Sequence, residues 1–349
     1  MKRLFSKTFM KILFLLLFAF LAFPIFGKGF PKVIKIHSQH YYKTNVPKGN
    51  YSGLTWLGQN RYAVVSDKEK ESGFYVFIID IDSISGDILN IKTEGFYSSK
   101  TPNADEEGIA FHPNRNTLFI AREHDNTIKE YDLAGNMTGN ELKIPMLFNV
   151  ATGNYGFESL TYNQKTHLFW TTSESTLPCD GVQTAPKRLV ENHLRLQSFN
   201  DSLQPLNQYA YQMDKGTVAK KAMNYAMGVS DLVALDDGKL IVLERELYVS
   251  PSQIGSFVKN KLYCVDPTIS KVINETSPLT ERTPYLHKVL LTEWRTSLTL
   301  LHQDFANYEG ICLAPKLADG SQVLLLCADS QDQYGGILRD WFRTIIIDL

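Results

Sequence analysis

Five times along this chain, a small or acidic residue opens an apolar run, a turn follows, and a second apolar run closes on a charged residue. The clearest copy runs from Glu107-Gly108-Ile109-Ala110-Phe111 through the turn Pro113-Asn114-Arg115-Asn116 to Leu118-Phe119-Ile120-Ala121-Arg122-Glu123. Ser52-Gly53-Leu54 leads likewise to Val65-Ser66-Asp67, and Glu158-Ser159-Leu160 to Thr172-Ser173-Glu174. Ser230-Asp231-Leu232 leads to Leu243-Glu244-Arg245, and Glu309-Gly310-Ile311 to Cys327-Ala328-Asp329. Two apolar runs joined by a short turn form an antiparallel hairpin, whose first and last residues share one edge of the sheet. Each copy therefore delivers its flanking polar residues to one rim. A radial arrangement brings about five such rims together on one face.

Each repeat continues with two more strand-like runs, rich in Tyr, Phe, Ile and Val and bounded by Gly, Asn, Asp and Ser. They are Phe74–Ile81 and Ile88–Phe96, Thr127–Leu133 and Glu141–Pro145, and His193–Phe199 and Gln208–Met213. Four strands per unit at a period of about 50 residues is the signature of propeller blades. The expected fold is all-β: a single β-propeller of about five to six four-stranded blades. The gap between Asp231 and Gly310 leaves room for an extra degenerate blade. A strand at Val33–Tyr42 paired with the terminal strand Thr344–Asp348 closes the ring and removes exposed edges. Only Lys215–Met227 hints at a helix, weakened by Gly216 and Thr217-Val218.

With 36 basic and 37 acidic residues the chain has no global basic field, so nucleic acid is not an expected partner. Lys2, Arg3 and Lys7 precede an uncharged apolar run from Ile12 to Phe26, which reads as a secretory signal over residues 1–27. The run is shorter than the roughly 20 residues needed to span a bilayer comfortably; a retained anchor is the alternative. Cys179, Cys264, Cys312 and Cys327 form no Cys-x-x-Cys pair, which argues against structural zinc. Cys312 and Cys327 flank the turn Ala318-Asp319-Gly320, so a disulfide across a hairpin and two buried thiols both stay open.

Taken in order, Ser52-Gly53-Leu54, Val65-Ser66-Asp67, Asp105-Glu106-Glu107-Gly108-Ile109-Ala110, Gly156-Phe157-Glu158-Ser159-Leu160, Val242-Leu243-Glu244-Arg245 and Asn307-Tyr308-Glu309-Gly310 resemble the phytase-like family of secreted β-propellers, described by an esterase-like activity of phytase. The resemblance spans almost all of residues 28–349 and implies one propeller domain, export, and hydrolysis of phosphate or other esters. The chain lacks the Asp-Asp-Pro-rich first-blade motif of the calcium-dependent β-propeller phytases. Its last repeat reads Ala328-Asp329-Ser330-Gln331-Asp332, where those enzymes carry an Asp-Asn-Asn-type run.

The carboxylates expected on the shared face are Asp67, Glu107, Glu123, Glu158, Glu174, Glu244, Glu309 and Asp329, with Asp105 and Glu106 close by. So many acids in one mouth repel unless they are solvated, protonated, paired with Arg or neutralised by a cation. Calcium, which takes six to eight oxygens in flexible geometry, suits acids arriving from different blades. Asp67, Glu107, Glu123, Glu158, Glu174, Glu309 and Asp329 are the candidate metal ligands. Glu158, Glu107, Glu309 and His124 are the candidate catalytic groups. Arg245, which takes the position held elsewhere by Asp67, Glu123 and Glu174, and Arg122 are candidates for holding a substrate phosphate or carboxylate, with internal salt bridges as the alternative. No Gly-x-Ser-x-Gly elbow supports a serine nucleophile. The expectation is a secreted or periplasmic, metal-assisted hydrolase of a small-molecule ester or phosphoester, monomeric and without a membrane span after signal cleavage. The rivals are a non-catalytic propeller with structural calcium, which binds a ligand or partner, and a lactonase-type propeller.

Overall fold

The computed structural model describes residues 29–150, 156–301, 303–331 and 337–349. The expected signal at 1–27 lies outside them, and Pro31–Leu349 forms one compact unit. Near the N-terminus lie β1 (Lys32–Ile36) and β2 (His40–Tyr41). The first four-stranded sheet is β3 (Tyr51–Gly58), β4 (Arg61–Ser66), β5 (Glu71–Ile81) and β6 (Ile88–Pro102). The second is β7 (Glu106–His112), β8 (Thr117–Arg122), β9 (Thr127–Asp132) and β10 (Met137–Glu141). The third is β11 (Thr161–Asn163), β12 (Leu168–Thr171), β13 (Glu191–Asn200) and β14 (Pro205–Lys215). The fourth is β15 (Asn224–Ala234), β16 (Leu240–Val249), β17 (Ser256–Val265) and β18 (Lys288–Leu298). The fifth joins β19 (Asn307–Leu313), β20 (Gln322–Asp329) and β21 (Trp341–Asp348) to β1, which pairs antiparallel with β21.

These five sheets are the blades of a propeller, and the main hydrophobic clusters lie in the seams between them. Tyr51, Leu54 and Phe77 of blade one meet Cys327, Phe342 and Ile346 of blade five. Ala63, Val65 and Phe74 meet Ile109, Leu118 and Ile120 in the next seam. Phe119 and Ala121 meet Phe169 and Phe199, and Trp170 and Tyr211 meet Leu232 and Val242. In the fifth seam, Ile241 and Leu243 meet Ile311 and Leu326. Burying each such side chain contributes roughly 1.5–3 kcal/mol, so the alternation of apolar residues along the strands drives blade against blade.

The innermost strands come closest. A Cβ on Gly53 would lie 2.3 Å from the Glu107 carbonyl, and one on Gly108 would lie 2.5 Å from the Leu160 nitrogen. Glycine recurs at this step of the repeat because a neighbouring backbone occupies the space of a side chain. At the equivalent step blade four has Asp231, whose carboxylate accepts the amides of Leu232 (2.8 Å) and Ile311 (2.9 Å). The backbone of Leu160 adds a third contact, so one fully buried side chain ties blades three, four and five together at the axis.

Several expectations need correction. Among the described residues the blades number five, the lower end of the expected range, and the Asp231–Gly310 interval holds no extra one: it is filled by strands of ten or eleven residues and the 266–287 connection. The last strand of blade two is Met137–Glu141 rather than Glu141–Pro145. Lys215–Met227 is not a helix. Its ends belong to β14 and β15, and Glu246 captures the amides of Thr217 (2.6 Å) and Val218 (3.2 Å) between them. Among the described residues the only helical turns are 3-10, at Met146–Val150 and Pro267–Ile269. Cys312 lies opposite Leu325 and Cys327 opposite Gly310, so the two do not face each other, and both are free thiols.

Candidate functional site

Two features of the inner hairpins place the polar residues. The register slips between Tyr51 and Gly53, Glu106 and Ile109, Val229 and Asp231, and Tyr308 and Gly310. These bulges set Ser52, Glu107, Ser230 and Glu309 in the irregular step, and a bulge re-aims the side chain it carries. Glu158 occupies the same step of blade three, just after Phe157, which bridges Ser173. One residue beyond β4 and β8, and shortly beyond β12, the amides of Asp67, Glu123 and Glu174 still bond back to Asn50, Asp105 and Gly156 (3.2, 2.8 and 2.9 Å). Arg245 opposite Gly228 and Asp329 opposite Asn307 complete that second set.

The result is a cluster of carboxylates from four blades. Glu107, Glu123, Glu158, Glu174, Glu309 and Asp329 are each only 3–8% exposed, and Asp67 stands slightly nearer solvent. Arg245, also buried, neutralises one side of it. Its guanidinium reaches Glu174 at 2.9 Å, Glu309 at 2.7 Å and the side-chain oxygen of Asn307 at 2.8 Å. Burial opposes the charge of Arg245, but Glu309, Glu174, Glu158 and Asp329 outweigh it and hold the guanidinium protonated. Lys68 is the cation at the rim, 2.6 Å from Asp67 and 3.3 Å from Asp105.

The other side of the cluster has no cation in contact among the described residues. Oxygens of Glu107, Glu123 and Glu158 all lie within 4.8 Å of one another. Gly156 donates its amide to Glu123 (3.1 Å). Burial first, then repulsion from Asp67, Glu309 and Glu123, holds the Glu107 carboxyl well above the usual range. Burial with Glu107, Glu174 and Glu123 does the same for Glu158. Glu123 is pushed up to about 7 and Asp67 to about 6, again chiefly by burial. Because calcium binds oxygens at about 2.3–2.6 Å, two of its ligands lie no more than roughly 5 Å apart. The Glu107–Glu123–Glu158 trio, three hard anionic donors with unmet charge, fits such a cation.

Of the residues singled out in the sequence, Asp67, Glu107, Glu123, Glu158, Glu174, Glu309, Asp329 and Arg245 come together. Arg245 is not an open clamp, because its two terminal nitrogens are already occupied by acids of the protein. Arg122 and Glu244 do not join. Each is adjacent to a residue of the cluster in an extended segment, so strand alternation turns it to the other blade face. Arg122 pairs with Asp125 (3.1 Å), and Glu244 accepts from Tyr211 (2.5 Å) and Lys288 (2.8 Å). Glu106 is turned away likewise, buried near Arg122. His124 is exposed; its amide bonds to Ala104 and its ring makes no hydrogen bond among the described residues. Lys68 and Asn307 were missed. Their signal was adjacency to Asp67 and two-residue spacing from Glu309.

Fold and site define a five-bladed β-propeller with a buried carboxylate cluster where its inner strands converge. The chain belongs to the phytase-like family, described as having esterase-like activity of phytase, whose sequence model matches residues 46–331. No curated protein is matched by the chain. Among solved structures it is similar to a DUF4221-family member from Bacteroides vulgatus (8% identity, 90% of this chain and 97% of that one, TM-score 0.41). Streptogramin B lyase (11%, 90% and 98%, TM-score 0.38) and the hydrazine synthase of Kuenenia stuttgartiensis (8%, 87% and 88%, TM-score 0.39) are similar to the same degree. Likeness at this level carries no argument about activity. No helix among the described residues is long and apolar enough to cross a membrane.

Proposed function

We propose that this protein is an exported hydrolase, secreted or periplasmic, that acts on a phosphate or other ester at the carboxylate-lined mouth with the help of a divalent cation, calcium by preference. The observation that carries this reading is the buried Glu107–Glu123–Glu158 trio, whose oxygens lie within 4.8 Å of one another without a protein cation in contact among the described residues. A divalent cation held there supplies Lewis-acid polarisation of an ester oxygen. Arg245, fixed between Glu174 and Glu309, keeps those two acids from competing for it and sets their orientation. Export rests on the basic start and the apolar run from Ile12 to Phe26. In the same reading β1, paired on β21, is the strand that closes the ring.

The depth of the trio also favours a second reading, in which calcium is a structural plug of a ligand-binding propeller. A panel of phosphomonoesters, carboxyl esters and lactones, assayed with calcium and with chelator, separates the two. The hydrolase reading expects turnover that falls at least about a hundredfold on chelation and with Glu158→Gln. No turnover on any class, with chelation lowering only the melting temperature, overturns it in favour of the plug.

A further inference from the structure

We propose that Lys68 is the specificity residue of this mouth, the group that receives the negative charge of an anionic ester and so favours it over a neutral one. The kinetic side of this inference rests on the hydrolase reading; the binding side does not.

Among the described residues two cations stand at the carboxylate cluster, and they differ in freedom. Arg245 is 6% exposed, and moving it strands two buried carboxylates, Glu174 and Glu309. Lys68 lies in the turn just after Asp67, with its side chain 52% exposed. Its ammonium bridges the seam between blades one and two, from Asp67 to Asp105, and the Asp105 side chain is itself 37% exposed. Releasing Asp105 to water is therefore cheap, whereas releasing Glu174 is not. A Lys ammonium on a four-carbon stem can exchange one oxygen partner for another without moving the backbone. From its place at the rim Lys68 acts electrostatically on Glu107, Glu123 and Glu309, so a ligand reaching those acids passes within its field. A phosphoryl or carboxylate oxygen entering beside the trio meets Lys68 as the one exposed cation in contact with the cluster among the described residues.

The test measures binding of phenylphosphonate, a non-hydrolysable anion, to the calcium-loaded protein by calorimetry. Lys68→Gln is expected to weaken it about tenfold or more, the size of one charge-assisted contact. Asp105→Asn, which keeps a residue tolerant of the left-handed backbone at that position (φ 56°), removes a competitor for Lys68 and is expected to tighten it. A merely structural lysine gives shifts of the same sign in both variants. That result, wild-type affinity in Lys68→Gln, or no binding of phenylphosphonate to the wild type overturns the assignment. In kinetics, Lys68→Gln is expected to raise KM for p-nitrophenyl phosphate about tenfold more than that for p-nitrophenyl acetate; an equal rise for both also overturns it. If neither ester turns over while the binding pattern holds, the hydrolase reading falls and Lys68 remains an anion-binding residue.

Discussion

Near the axis, the choice of residue is governed by how closely two backbones approach. Gly108→Ala puts a methyl 2.5 Å from the Leu160 nitrogen and 2.6 Å from the Ser159 carbonyl carbon, where only backbone can yield. The expected cost is about 1–3 kcal/mol in a denaturant titration, although alanine is elsewhere the better strand residue of the two. Asp231 makes the opposite use of the same step. Asp231→Asn replaces one acceptor oxygen with a donor that faces an amide, and is expected to cost about 1–3 kcal/mol, read the same way. Much of this scale was legible in the sequence. Hairpin polarity alone gathers Glu107, Glu123, Glu158, Glu174 and Glu309. What it misses is side-chain direction: Glu244 beside Arg245, and Arg122 beside Glu123, differ by one step of alternation, and only the observed register says which of each pair faces inward.

At the scale of elements, the insertions are fastened by a contact that no local pattern announces. Arg195 on β13 holds Asp180 through two bonds of 2.7 Å and reaches the Ser277 carbonyl at 2.6 Å, while Asp180 also accepts the Leu279 amide at 2.8 Å. One buried ion pair thus ties the 172–190 insertion and the 266–287 connection to blade three. Asp180→Ala leaves a buried guanidinium unpaired and is expected to cost about 3–5 kcal/mol in unfolding. Limited proteolysis should then cut first within those two segments. Strands such as β5, β13 and β14 were readable because apolar alternation is a local signal. Asp180 and Ser277 lie 15 and 82 positions from Arg195, and their meeting depends on the finished sheet.

For the molecule as a whole, the buried acids couple stability to pH and to cations. In the unfolded chain Asp67 and Glu123 ionise near pH 4, whereas in the fold they do so near 6 and 7. Between those values the folded state binds more protons than the unfolded one, so acidification across this window stabilises the cation-free protein. That contribution is fully present below about pH 4 and is lost as the pH rises past about 7. Melting temperatures in chelator should therefore fall from pH 5 to pH 8. With saturating calcium the slope should flatten or reverse, because a bound cation favours the ionised carboxylates and stabilises only the folded state. A slope that is the same with and without calcium would show that the cluster does not bind the ion.

Asp231 makes the inner strands of the propeller depend on one another. Its carboxylate joins the inner strands of three blades, at the step where Gly53 and Gly108 let neighbouring backbones touch. Slackening that joint reaches the acids themselves, because Glu158 and Glu309 each stand two residues before the Leu160 and Ile311 positions that it holds.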